Sequence, residues 1–182
     1  MRTTQKRTGT DGGGRKFLPS RHTCHGFSLV ELLVVVAIVG IIAGLGTPAL
    51  LSMKAKSSVR ADARDVYSTF RHAQSEAVKR SESICILFNV PSAGEYTVFL
   101  DNGAGTASNA NNATKDAGEV TLSVNRLRPG SSFAGINFGG NPGFTARGLP
   151  LAGNFGSVQI HGSALKMELS LSNAGFIKSR TL

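Results

Sequence analysis

The chain has 182 residues and carries 20 Lys+Arg against 11 Asp+Glu, a formal net charge of +9. That length accommodates one folded domain beside one long helix, not several domains. The excess positive charge would suit nucleic acid, but its distribution along the chain argues against that reading.

Residues 1–25 are polar and basic, with Gly12-Gly13-Gly14 and no apolar periodicity, and are expected to be disordered. Arg2, Lys6, Arg7, Arg15, Lys16 and Arg21 stand there against Asp11 alone, so more than half of the net charge precedes residue 27. The remainder is only mildly basic. From Gly26 to Leu51 the chain holds a single charge, Glu31, and the 20 residues Leu32–Leu51 hold none. As a helix rising about 1.5 Å per residue, those residues span about 30 Å, the thickness of a bilayer's hydrocarbon core. An ionisable group within such a run is expensive and is normally retained for function.

Two ordinary explanations fit less well. A secretory signal peptide has an apolar core of 7–15 residues followed by its cleavage site. Here the run is longer, contains an acid, and has its small residue, Gly26, in front. An uncut anchor accounts for the length but leaves Glu31 without a role. The flanking charges do not orient the segment: four Lys/Arg lie within 20 residues before Phe27 and five within 20 after Leu51.

Beyond the apolar run, Val59, Ala63, Val66, Phe70, Ala73 and Ala77 recur at spacings of four and three, the stripe of an amphipathic helix. Arg60, Asp62, Arg64, Asp65, Arg71 and Lys79 fall largely off the stripe and read as a solvated face. Helix is predicted from about Ser28 to about Arg80, interrupted near Gly44, Gly46 and Pro48.

After Ser81 the pattern becomes that of strands. Ser83–Val90 and Tyr96–Leu100 form a hairpin around Pro91-Ser92-Ala93-Gly94. Residues 101–118 are rich in Gly, Ala and Asn and predict an exposed loop. Val120–Leu127 alternates, with Val120, Leu122 and Val124 facing inward. Residues 129–156, with Phe133, Phe138, Phe144 and Phe155 among many glycines, predict short strands and tight turns. Ser157–His161, Ala164–Leu171 and Gly175–Lys178 complete the sheet. The fold class is therefore α+β, a long N-terminal helix packed on an antiparallel sheet.

No catalytic set emerges, and no cofactor is expected. His72 and His161 are isolated, and residues 139–148 (GGNPGFTARG) lack a phosphate-loop pattern. Asp101, Asn102, Asp116 and Glu119 could meet a calcium ion at the loop, but their spacing is not that of an EF-hand, and a solvated loop is the simpler reading. Cys85, inside Ile84-Cys85-Ile86-Leu87-Phe88, reads as a buried inert thiol.

The order basic leader, Gly26, Phe27, Ser28-Leu29-Val30-Glu31, apolar run resembles the class III signal of type IV pilins and pseudopilins. That resemblance implies cleavage after Gly26 by a prepilin peptidase, N-methylation of the new N-terminal Phe27, and an assembly role for Glu31. It places Pro48 where these pilins carry a helix-disturbing proline. It also puts residues 1–25 in the cytoplasm, the apolar helix in the inner membrane and the sheet in the periplasm. The chain then divides into leader 1–26, transmembrane and assembly helix 27–51, amphipathic helix 52–81 and β-rich domain 82–182. Cleavage removes Cys24, so Cys85 has no disulfide partner, and the grouping of Cys24 with His22 and His25 is no metal site.

Within the superfamily, Phe70–Arg80, the phenylalanine-glycine stretch and Leu171-Ser172-Asn173-Ala174-Gly175 resemble the GspH/FimT group of minor pseudopilins and pilins. This implies a non-enzymatic subunit of a type II secretion system that joins other pseudopilins on an inner-membrane assembly platform. The alternative is a FimT-like minor pilin for pilus biogenesis or DNA uptake. DNA is an unlikely partner, because the Gly-Arg-x-Arg motif of DNA-binding members is replaced here by Gly175-Phe176-Ile177-Lys178. Lysine cannot replace the bidentate arginine fork. Lys166, Lys178 and Arg180 would support only weak, salt-sensitive contact. Phe176, in an alternating strand, is expected in the core.

One prediction rests on the Gly26-Phe27 junction. Mass spectrometry of the membrane-purified protein should find an N-terminus at Phe27 carrying one added methyl group. A bulky residue at Gly26 should block the cut. An intact leader in cells with a working prepilin peptidase would refute this reading.

Overall fold

The computed structural model describes residues 27–104 and 110–182, and within its helix the side chains of residues 45–49 lie outside the description. The chain divides into two units between Ile42 and Ala43. One helix, α1, covers Leu29–Arg80, and the division falls within it.

In the first unit, Phe27, Leu29, Val30 and the apolar residues through Ile42 are all exposed. Among the described residues no helix is long and apolar enough to cross a membrane. The described side chains of the apolar run stop at Gly44 and resume at Leu50. The helical assignment runs without a break through Gly44, Gly46 and Pro48, so the helix is not unwound there. Each interior glycine costs a helix only about 1 kcal/mol, which a long helix can absorb.

The second unit is built around the amphipathic part of α1. Val59, Ala63, Val66, Phe70, Ala73 and Ala77 are each 0–2% exposed, the stripe predicted from their spacing. Two four-stranded antiparallel sheets pack on it, where one sheet was expected. The first contains β1 (Ile84–Phe88), β2 (Glu95–Leu100), β3 (Thr121–Arg126) and β5 (Gly143–Phe144), in the order β3-β2-β1-β5. The second contains β4 (Ser132–Phe138), β6 (Gly156–His161), β7 (Lys166–Leu171) and β8 (Ile177–Thr181), in the order β4-β6-β7-β8. The β1–β2 hairpin forms as predicted, with Phe88 opposite Tyr96 and Asn89 N–H donating to Glu95 O at 2.7 Å.

Phe70 joins the layers. Its ring lies 6.2 Å from Phe88 of β1, 6.3 Å from Phe144 of β5 and 6.3 Å from Phe138 of β4. Phe133 of β4 packs edge-on against Phe88 at 4.9 Å. Ile84, Ile86, Val98, Val158, Ile160, Leu169 and Leu171 fill the remainder of this core. The turn after β6 also approaches the helix: a Cβ at Gly162 would lie 2.3 Å from Val59 Cγ2.

Three sequence expectations are corrected. Val120 and Val124 are more than half exposed and Leu122 half-buried, because β3 is an edge strand and its pairing with β2 shifts register between Val98 and Phe99. Phe176 is 64% exposed, because it lies in the turn before β8 while Ile177 takes the buried position. The segment after β2 is not wholly solvated: Asp101, Ala113 and Glu119 are buried.

Cys85 is fully buried in β1, with Phe99, Ala113 and Leu151 around it. Burial, then the neighbouring Asp101 carboxylate, pushes its thiol well above the ordinary value of 9.0.

Two predictions follow from this packing. Phe70→Ala should lower the unfolding free energy by about 3–5 kcal/mol, whereas Phe176→Ala should change it by less than about 0.5 kcal/mol. Urea unfolding of the full chain in detergent, followed by circular dichroism, separates the two. Equal losses would mean that the exposed and buried assignments are wrong. For Cys85, folding holds the proton on the sulfur, so its contribution to stability is intact below the unfolded thiol's pKa. The contribution is lost as pH rises past that value. Iodoacetamide at pH 8, read by peptide mapping, should leave Cys85 unlabelled until urea is added; rapid labelling of folded protein would contradict the burial.

Candidate functional site: the N-terminal turn of the helix and the charged ties of the domain

The chemistry of the first unit is concentrated in one helical turn. Ser28 caps α1: its carbonyl accepts from Leu32 N–H at 3.1 Å and its Oγ from Val30 N–H at 3.3 Å. The cap satisfies donors that a helix start otherwise leaves open. Glu31 sits in the first turn, where the positive end of the helix dipole favours a carboxylate. It is exposed among exposed apolar neighbours, and no described residue forms an ion pair with it. Phe27, 81% exposed, immediately precedes the capping serine. Gly26, Cys24, His22 and His25 lie outside the described residues, as do the side chain of Pro48 and any effect it has on the helix. The turn therefore presents a carboxylate and an aromatic residue at the start of an exposed apolar stretch of helix.

The acids of the second unit have structural partners. Asp62 is 1% exposed and not solvated as its neighbours in sequence suggested. Its Oδ1 accepts from Arg128 Nη1 at 2.7 Å and from Arg128 N–H at 3.2 Å, and Arg128 also reaches Asp65 Oδ2 at 2.8 Å. Hydrogen bonds to Asp65 and Asp62 raise the guanidinium pKa. Asp62 Oδ2 and Ser131 Oγ are buried without a hydrogen-bond partner among the described residues. Nothing local in the sequence signals the pairing of Asp62 with Arg128, which are 66 residues apart. The one available hint is that Asp62 immediately precedes the stripe residue Ala63.

The calcium candidates bind the backbone and side chains of their own loop. Asp101 accepts from Asn111 N–H and Ala113 N–H, both at 2.7 Å. Glu119 accepts from Gly103 N–H at 3.1 Å and Asp116 N–H at 2.9 Å. Both carboxylates thus tie down loop backbone, and Asn102 donates to Glu82 at 3.1 Å. Among the described residues no three His, Cys, Asp or Glu are grouped to hold a metal. His72 is exposed, and His161 faces Gln159 Oε1 at 3.0 Å. Of the three basic residues considered for DNA, Arg180 is bound to Glu168 on the adjacent strand β7, leaving Lys166 and Lys178 exposed.

Comparison with known proteins agrees with this geometry. Residues 62–175 match the family described as Type II transport protein GspH, and residues 21–47 match the prokaryotic N-terminal methylation motif. No curated protein matches the sequence significantly. Among solved structures, the fold is similar to the minor pseudopilin EpsH from the type 2 secretion system of Vibrio cholerae. That match has 11% identity and a TM-score of 0.50, covering 68% of this chain and 97% of that one. The type IV minor pilin FimU of Pseudomonas aeruginosa matches with 16% identity and a TM-score of 0.49, over 69% of this chain and 90% of that one. The GspH match takes in α1 from Asp62 onward, the hairpin, the whole first sheet and strands β4, β6 and β7 of the second, and the methylation motif takes in the Phe27–Glu31 turn. The chain belongs to the GspH family of type II transport proteins.

Proposed function

We propose that the chain is a minor pseudopilin of a type II secretion system, cleaved after Gly26, N-methylated at Phe27 and assembled into, or capping, a periplasmic filament. The observation that carries this reading is Glu31 in the first turn of a helix whose apolar side chains through Ile42 are exposed. In this reading residues 27–51 anchor the subunit in the inner membrane before assembly, with the leader cytoplasmic. Residues 52–81 carry the β-rich domain 82–182 on the periplasmic side. The partners are the prepilin peptidase, other pseudopilins and the inner-membrane assembly platform. The work of the protein is assembly, not catalysis.

Cleavage would give Phe27 a free amine that still carries charge after methylation. In the filament, Glu31 of one subunit would pair with the Phe27 amine of its neighbour. An ion left alone in such an apolar setting costs roughly 3–5 kcal/mol. The pair therefore selects register between subunits more than it adds net stability. Pro48, lacking an amide hydrogen, is the position at which the helix would bend on packing.

Glu31→Val should still enter the membrane, since it removes an ionisable group from the run. It should co-purify poorly with the other filament subunits in a pull-down. Undiminished incorporation would show that Glu31 does not set register. Recovery with pilus subunits in place of secretion subunits would move the protein to a minor pilin of a type IV pilus.

A further inference from the structure

The acid-free stretch of the sequence continues past the apolar run. From Leu32 to Ala61 there is no Asp or Glu, while Lys54, Lys56 and Arg60 follow Leu51 within nine residues. All three cations are exposed, and none has a carboxylate partner among the described residues. The next acids, Asp62 and Asp65, are engaged by Arg128.

At this level a cleft of about 230 Å³ opens between α1 and the base of the sheets. Leu51, Lys54, Ala55 and Ser58 form its helix wall, and Pro129, Gly130 and Ser163 the opposite one. Both turns of that wall are fixed to the helix. The turn holding Pro129 and Gly130 is clamped by Arg128 on Asp62, and Ser131 N–H closes it on Arg128 O at 3.0 Å. The turn holding Ser163 is set by the contact of Gly162 with Val59. The cleft thus has a rigid outline, an ammonium group, two hydroxyls and an apolar side formed by Leu51.

We propose that this cleft binds the phosphate of an anionic phospholipid headgroup, with Lys54 at the phosphate and Lys56 and Arg60 supplying further positive charge. The inference rests on the anchoring reading above. Lys54 lies three residues beyond the uncharged run, about 4.5 Å along the helix. The headgroup layer on each side of a bilayer is about 5–8 Å deep, so Lys54 falls within it. Helical side chains lean toward the N-terminus, which aims Lys56 and Arg60 back at the same layer. The occupant is a lipid and not free phosphate because the wall begins at Leu51, an exposed apolar side chain beside the equally exposed Leu50.

The test uses the full-length protein in nanodiscs containing equal parts phosphatidylcholine and phosphatidylglycerol, with retained lipids identified by native mass spectrometry. The wild type should retain phosphatidylglycerol selectively. At roughly fivefold per cation near a membrane surface, Lys54→Gln with Lys56→Gln and Arg60→Gln should reduce that selectivity about a hundredfold. Ser163→Glu, at an exposed turn, should abolish it without touching a cation. Lys166→Gln with Lys178→Gln, on the sheet, should leave it unchanged. Equal selectivity in the triple variant, or an equal loss in the sheet variant, would overturn the headgroup site. So would displacement by sodium phosphate but not by sodium chloride of the same ionic strength, which would make the ligand free phosphate. Failure to float with pure phosphatidylcholine vesicles would overturn the anchoring reading and the headgroup site with it. Normal flotation with unselective lipid retention would overturn the headgroup site alone.

Discussion

The second unit depends on one helix face shared by two sheets. Neither sheet is wide, so neither could bury enough apolar surface alone. The stripe from Val59 to Ala77 gives both a common wall, and its small residues, Ala63, Ala73 and Ala77, let the strands come close. Phe70 is the exception in size and stands where rings from β1, β5 and β4 converge.

Carboxylates have opposite roles in the two units. Asp62, Asp101 and Glu119 are buried, and each carboxylate is bound by backbone N–H groups or an arginine, Asp62 through its Oδ1 alone, which is the condition for keeping an acid out of water. They connect segments far apart in sequence: the helix to the β3–β4 turn, and β2 to the loop that follows it. Glu31 has no such network among the described residues. Its only local support is the helix terminus itself. An acid that the described residues do not satisfy is one that a neighbouring molecule can satisfy, and this contrast separates the structural acids from Glu31, the acid proposed for assembly.

The helix stripe and the hairpin were legible from the sequence because both depend on local periodicity and turn chemistry. Phe70 and its companions were identified by spacing alone, and Phe88 and Tyr96 by the strand pattern around Pro91 and Gly94. The Phe27–Glu31 turn was legible as a motif. What escaped the sequence was non-local. Splitting of the strands into two sheets depends on pairings such as β1 with β5, which are more than fifty residues apart. The exposure of Phe176 depends on a register in which Ile177, one residue later, points inward. Asp62 looked like its charged neighbours because its partner, Arg128, is supplied by a turn on the far side of the sequence.

The contact at Gly162 has a further consequence. With no room for a methyl group there, the distance between helix and second sheet is set by the bulk of one valine. An alanine at 162 is therefore compatible only with a smaller residue at 59, and the two positions must change together. Such a pair acts as a spacer. Exchanging bulk between its members changes how closely the turn after β6 sits on the helix. In an assembling subunit, that offers a way to adjust what the domain presents to its neighbours without altering a single residue on the surface that meets them.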